Sequence, residues 1–234
     1  MATKFALASP ANFAGNSLMT EFPIIANLGW AAFVGDGSLN AQDNVNLAGT
    51  GALANVGSGP VLNPNFGRFT AGTNGWQTPT PDAVSFTLLQ VVRFNASFAM
   101  EAGVTDGSFT TAVEWTAAGQ QTAGQPGTLG ATLAGLFAGQ WICMAFTKGP
   151  NGALGALTNL SAGTTAPSTA VSTGTKANAN WQVGSIQASG IGGFTFASDI
   201  AFTLGVPSVV PLATLQQAYA SLKGILAPRG IVVV

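Results

Sequence analysis

Apolar residues recur at every second position along much of this chain, and no other feature restricts the fold as strongly. An extended strand sends successive side chains to opposite faces, so hydrophobicity of period two marks a sheet with at least one buried face. Between Ser85 and Phe94 the even positions Phe86, Leu88, Val92 and Phe94 share one face. The odd positions mix Ser85 and Thr87 with Leu89, Val91 and Arg93, which predicts a central strand covered on both sides. Further on, Phe194, Phe196, Ile200, Phe202 and Leu204 alternate with Thr195, Ala197, Asp199, Ala201 and Thr203. That pattern fits a half-buried strand or a strand with a bend. Additional strands are predicted over 66–70, 96–101, 109–116, 140–148, 152–159, 181–187 and 230–234. Asp106-Gly107 and Asn151-Gly152 supply hairpin turns between them. Segments 117–127 and 161–178 read as polar connections, the second as a surface excursion.

One segment departs from the alternation. Leu212, Leu215, Tyr219, Leu222 and Leu226 follow spacings of three and four, which predicts an amphipathic helix over 211–227 bounded by Pro211 and Pro228. A lone helix after many strands is expected to pack its stripe on a sheet edge or sandwich end. The expected fold is therefore all-β: an antiparallel β-sandwich of jelly-roll type in one domain spanning 1–234, with a C-terminal amphipathic helix. Residues 1–20 form an N-terminal segment that a partner could receive.

Charge is scarce enough to exclude whole classes of function. Among 234 residues there are seven Lys or Arg and eight Asp or Glu, 6% of the chain, and no His. Ordinary soluble domains carry about 25% charged residues. Seven scattered cations cannot replace phosphate counterions along a nucleic acid. Without His, and with Cys143 as the single thiol, the usual zinc, iron and copper ligand sets and the Ser-His-Asp triad cannot be assembled. Cys143 lies in the apolar run Trp141–Phe146, where a buried and inert thiol is expected. Mean hydropathy is +0.39, yet the long uncharged stretches, such as 116–147, are broken by Gln, Thr, Gly and Pro126, so no membrane-inserted helix is expected. The apolar run after Lys4 is too short for a signal peptide.

The run Val84–Phe94 resembles the central strand of laminin-G-like and concanavalin A-like domains, and Gly139–Gly149 resembles their G-x-W-h-x-x-A strand. Asn180–Gly184 is similar to the short strand that follows, and Phe194–Tyr219 to the closing strand, Pro-containing loop and Leu-rich helix. The tail Tyr219–Ile231 resembles those of such domains in phage structural proteins. The resemblance covers roughly residues 20–231. It implies a concanavalin A-like jelly roll and, through the tail, a virion component. Two departures separate the chain from the family's activities: Ile142 and Cys143 follow Trp141 where His is frequent, and Leu157–Leu160 lacks the Gly of the family's next strand.

Three kinds of site remain. Glu101 and Glu114 could face each other across the Asp106-Gly107 hairpin as a carboxylate pair, but two acids alone do not define a glycosidase, and no enzyme is expected. Asp36, Asn40 and Asp43 group oxygen ligands in a loop suited either to calcium or to an Asx-rich turn; Ala41 and Leu47 stand where an EF-hand needs Gly and Glu. Otherwise no cofactor is expected. Trp76, flanked by Asn74 and Gln77 in a polar loop over 73–79, offers an aromatic face and amides either for stacking a sugar or for packing on a neighbouring loop or subunit. The expected function is a non-enzymatic virion subunit (capsid decoration, spike or tail fibre) at a particle surface. Its partners would be other virion proteins, further copies of itself in a homo-oligomer, and surface glycans. The alternative is a lectin-like carbohydrate-binding module.

Overall fold

The computed structural model describes residues 25–35, 53–70, 74–94, 99–105, 110–116, 119–125, 128–133, 139–149, 155–167, 179–184 and 197–234. The strands are β1 (Trp30–Phe33), β2 (Ala54–Gly57), β3 (Val61–Asn63), β4 (Phe66–Thr70), β5 (Asn74–Pro81), β6 (Phe86–Phe94), β7 (Ala99–Thr105) and β8 (Thr110–Thr116). They continue as β9 (Gly119–Gln125), β10 (Thr128–Leu133), β11 (Trp141–Lys148), β12 (Ala156–Asn159), β13 (Thr164–Ala166), β14 (Asn180–Val183) and β15 (Ala197–Val206), before the helix α1 (Leu212–Leu226). Two antiparallel sheets result. The first runs β13-β12-β11-β6-β15-β4-β3, with β1 also paired to β15; the second runs β10-β9-β8-β7-β14-β5-β2.

The alternation read from the sequence separates two cores. Phe86, Leu88, Val92 and Phe94 of β6 and Ile142, Met144 and Phe146 of β11 turn inward, against Trp76, Val104, Val113, Trp181 and Val183 of the second sheet. Trp181 lies flat on Phe86 with centroids 4.2 Å apart and 6° between planes. The opposite face of the first sheet, with Leu89, Val91, Cys143, Ala145, Phe202 and Leu204, is covered by Leu215, Ala218, Leu222, Ile225 and Leu226 of α1. The helix thus packs across a sheet face and not at an edge or end, because β6, β11 and β15 are apolar on both sides. Of the predicted stripe, Leu212 is 47% exposed and Ala218 and Ile225 are buried in its place. Pro211 serves as the residue before the first turn, with no side-chain cap, so packing rather than capping holds the helix. Its approach is fixed by Thr87, whose hydroxyl donates to the Ser208 carbonyl at 2.7 Å and accepts from the Val210 N–H at 2.9 Å.

The β15 pattern resolves into the bent alternative. A bulge between Ile200 and Phe202 breaks the register. Ile200 therefore faces the sandwich interior, whereas Phe202 and Leu204 face the helix. The bulge falls where β15 changes its second neighbour, from β4 at residues 197–200 to β1 at residues 202–205. At Gly205 any Cβ would lie 2.0 Å from the Trp30 ring, so only glycine lets β1 close on β15 here.

Several polar segments are strands. β5 forms where the sequence predicts a polar loop, and β9, β10 and β13 fall in or beside the two predicted polar connections; all are Gly-, Thr- or Gln-rich strands held by ladder bonds, with weak hydrophobic alternation. At the C-terminus the predicted strand is reduced to one bridge, Val233 to Trp141. Residues 1–20 and the Asn151-Gly152 turn lie outside the described residues. No helix among the described residues is long and apolar enough to cross a membrane.

Candidate functional site

Trp76 is the main correction to the sequence reading. It is 0% exposed on the inner face of β5, edge-on to Phe69 with centroids 5.2 Å apart, and its indole N–H has no hydrogen-bond partner among the described residues. A side chain packed between two sheets cannot offer its face to a sugar. Asn74 is buried too, its side-chain oxygen accepting the Thr70 N–H. Asp36, Asn40 and Asp43 lie outside the described residues. Among the described residues no three His, Cys, Asp or Glu side chains are grouped to hold a metal. In the β7–β8 ladder Glu114 is registered with Met100, and Glu101 falls in the irregularity between Met100 and Ala102. The two glutamates are therefore not cross-strand partners.

Gln77 alone of the predicted trio reaches the outer face of the second sheet. Its strand neighbours Trp76 and Thr78 are buried, and alternation turns Gln77 the other way, half-buried. On the adjacent strand Gln182 alternates in the same manner with Trp181 and Val183. The Gln182 amide donates to Gln77 Oε1 at 3.1 Å, and the Gln77 amide donates to the Trp181 carbonyl at 3.4 Å. Register extends this row from Gln77 and Gln182 to Gly103, Ala112 and Ala123. The same register places Ala54 on the other side of Gln77 and Leu129 beyond Ala123, so the two coupled primary amides stand inside the row, between Ala54 and Gly103. Gln182 was not singled out from sequence, although its place between two core residues, Trp181 and Val183, was visible there.

The first sheet carries a second polar row on its helix-bearing face. Register aligns Val61, Arg68, Asp199, Arg93 and Trp141 on five neighbouring strands. Arg68 donates from Nε to Asp199 Oδ1 at 2.7 Å and from an end nitrogen to Oδ2 at 3.0 Å. Arg93 donates from Nε and an end nitrogen to Oδ2, at 3.1 and 2.8 Å. The Asp199 side chain is 0% exposed, against 45% for Arg68 and 26% for Arg93. The hydrogen bonds to Asp199, more than its charge, hold the Arg68 guanidinium above its ordinary value. Arg93 also lies over the rings of Trp141, at 4.7 Å, and Phe66, at 5.1 Å. The sequence reading passed over this cluster because its members are 131 and 106 residues apart.

No protein-family model matches the sequence, and no curated protein matches it. Solved structures do. Domain 4 of AbnA, a GH43 extracellular arabinanase from Geobacillus stearothermophilus, in complex with arabinotriose, is similar with a TM-score of 0.59 at 14% identity, over 82% of this chain and 98% of that one. Trypanosoma rangeli sialidase bound to a difluoro-KDN ligand gives a TM-score of 0.58 at 11% identity over 88% of this chain, and the same sialidase with sialic acid gives 0.56. This chain spans 34% of the sialidase. At such identities the likeness concerns architecture alone, and the architecture is the jelly-roll β-sandwich.

Proposed function

We propose that this chain is a non-catalytic carbohydrate-binding module that contacts a neutral saccharide across the outer face of its second sheet. The observation that carries this reading is the half-buried, mutually hydrogen-bonded amide pair Gln77–Gln182. Primary amides donate and accept at once, as sugar hydroxyls require. The complex of the arabinanase domain with arabinotriose supports the same class of ligand. A particle-subunit role drew on the resemblance of the C-terminal tail, and none of the structural relatives named above is a particle component.

The test is isothermal titration of the full chain with arabino-, xylo- and gluco-oligosaccharides, beside Gln77→Ala and Gln182→Ala. Each truncation should weaken binding about tenfold, the loss expected when one or two hydrogen bonds disappear and leave a polar partner unmatched. Unchanged affinity in both variants, or no binding to any oligosaccharide, refutes the proposal.

A further inference from the structure

The geometry of Arg68, Arg93 and Asp199 points to a second binding site, on the opposite sheet from the amide row, for the carboxylate of an acidic saccharide. One carboxylate serves two guanidinium groups, so the cluster holds one positive charge more than it neutralises. Asp199 engages the side edge of each arginine, Nε and one end nitrogen, and no further hydrogen bond engages either guanidinium among the described residues. That leaves the remaining N–H groups at the outer ends for a ligand, the geometry that suits bidentate capture of a carboxylate. Both end nitrogens touch the same oxygen, Oδ2, at 3.0 and 2.8 Å, so a single anion can reach both arginines.

The cluster is also built to stay in place. Asp199 is buried and cannot follow a ligand out, and Arg93 rests over the touching rings of Phe66 and Trp141. Arg68 is the exposed member, and its neighbour in the row, Val61, is 61% exposed. An arginine beside an exposed apolar residue matches a uronic acid, whose ring has a C–H face next to its carboxylate. Only the saccharide character of the ligand is taken from the proposed function; the charged site rests on its own geometry.

Trigalacturonate and its fully methyl-esterified, neutral form serve as probes, titrated calorimetrically into the wild type, Arg68→Gln and Arg68→Lys. The wild type should prefer the acid about tenfold, added salt should weaken that preference, Arg68→Gln should abolish it, and Arg68→Lys should restore part of it. In the wild type, NMR should show trigalacturonate shifting the Nε–Hε signals of both arginines, a readout independent of how variants fold. Equal binding of acid and ester, a preference that survives Arg68→Gln, or unmoved arginine signals overturns the site. Inorganic phosphate competing as well as trigalacturonate overturns its assignment to a saccharide. Neutral oligosaccharide binding, measured in the same samples, should be unaffected by Arg68→Gln, which separates failure here from failure of the amide row.

Discussion

Lys148 and Asp82 form an ion pair with both side chains 0% exposed, the Nζ 3.0 Å from each carboxylate oxygen. Asp82 follows β5 of the second sheet, and its N–H is bonded to the Ala179 carbonyl. Lys148 ends β11 of the first sheet, in register with Phe86. The pair therefore ties the crossing from β5 to β6 to the far end of β11. At 3.0 Å and an effective dielectric near 20 the attraction is about 5–6 kcal/mol. Desolvating each ion costs several kcal/mol, so the intact pair contributes close to nothing net. Losing one partner is another matter, because the survivor keeps its desolvation cost without the attraction. Asp82→Asn should destabilise the chain by about 3–5 kcal/mol, against a total of about 5–15 kcal/mol for a typical domain. The double change Asp82→Leu with Lys148→Met should lie within about 1 kcal/mol of wild type, or above it. Urea denaturation at neutral pH, followed by Trp fluorescence with the slope checked for constancy, measures both. A single substitution costing under about 1 kcal/mol would mean water reaches the pair. A double variant as unstable as the single would refute the cancellation.

Burial pushes the Cys143 thiol far above its ordinary value, so it should resist a disulfide reagent in the native state at pH 8 and react once the chain is unfolded; rapid native labelling would contradict this. Because the folded-state value is raised, this group's stabilisation is intact below the unfolded thiol's titration near pH 8.5 and falls above it. Stability of the wild type relative to Cys143→Ala should then decline by about 1.4 kcal/mol per pH unit, read from denaturation midpoints at pH 8, 9 and 10. Trp181→Ala should cost about 3–5 kcal/mol through the cavity it opens. Trp181→Phe should cost clearly less, because the indole N–H has no hydrogen-bond partner to lose among the described residues, and thermal melts that show equal losses would place the energy in that N–H instead.

How legible the chain was depended on whether burial or backbone pairing defined each element. Strands that bury apolar residues, such as 66–70, 86–94 and 141–148, announce themselves by alternation, and so does the helix. β9, with the sequence Gly-Gln-Gln-Thr-Ala-Gly-Gln, carries no such mark, because a strand can be held by ladder hydrogen bonds to β8 and β10 without an apolar face. Trp76 was misplaced for a related reason. Its neighbours Asn74, Gly75, Gln77 and Thr78 look like a loop, yet Gln77 faces outward, Asn74 is satisfied by Thr70, and the Trp is left to fill the core. The Arg68–Asp199–Arg93 row was unreadable for a different reason: it exists only once three distant strands lie side by side.

The scarcity of charge and the proposed saccharide role share one physical cause. Among the described residues each cation is engaged: Arg68 and Arg93 by Asp199, Lys148 by Asp82, Lys223 over the Tyr219 ring at 5.4 Å, and Arg229 over Phe33 at 5.0 Å. A surface so arranged is hydrated chiefly by amides and hydroxyls. A sugar displaces that water and returns hydrogen bonds of the same kind, whereas desolvating free ammonium or carboxylate groups would cost far more. The second sheet shows the same arrangement, with the half-buried amides of Gln77 and Gln182 bonded to each other. On the first sheet the same economy leaves two guanidinium groups on one carboxylate, and there the matching ligand is a sugar that brings its own negative charge.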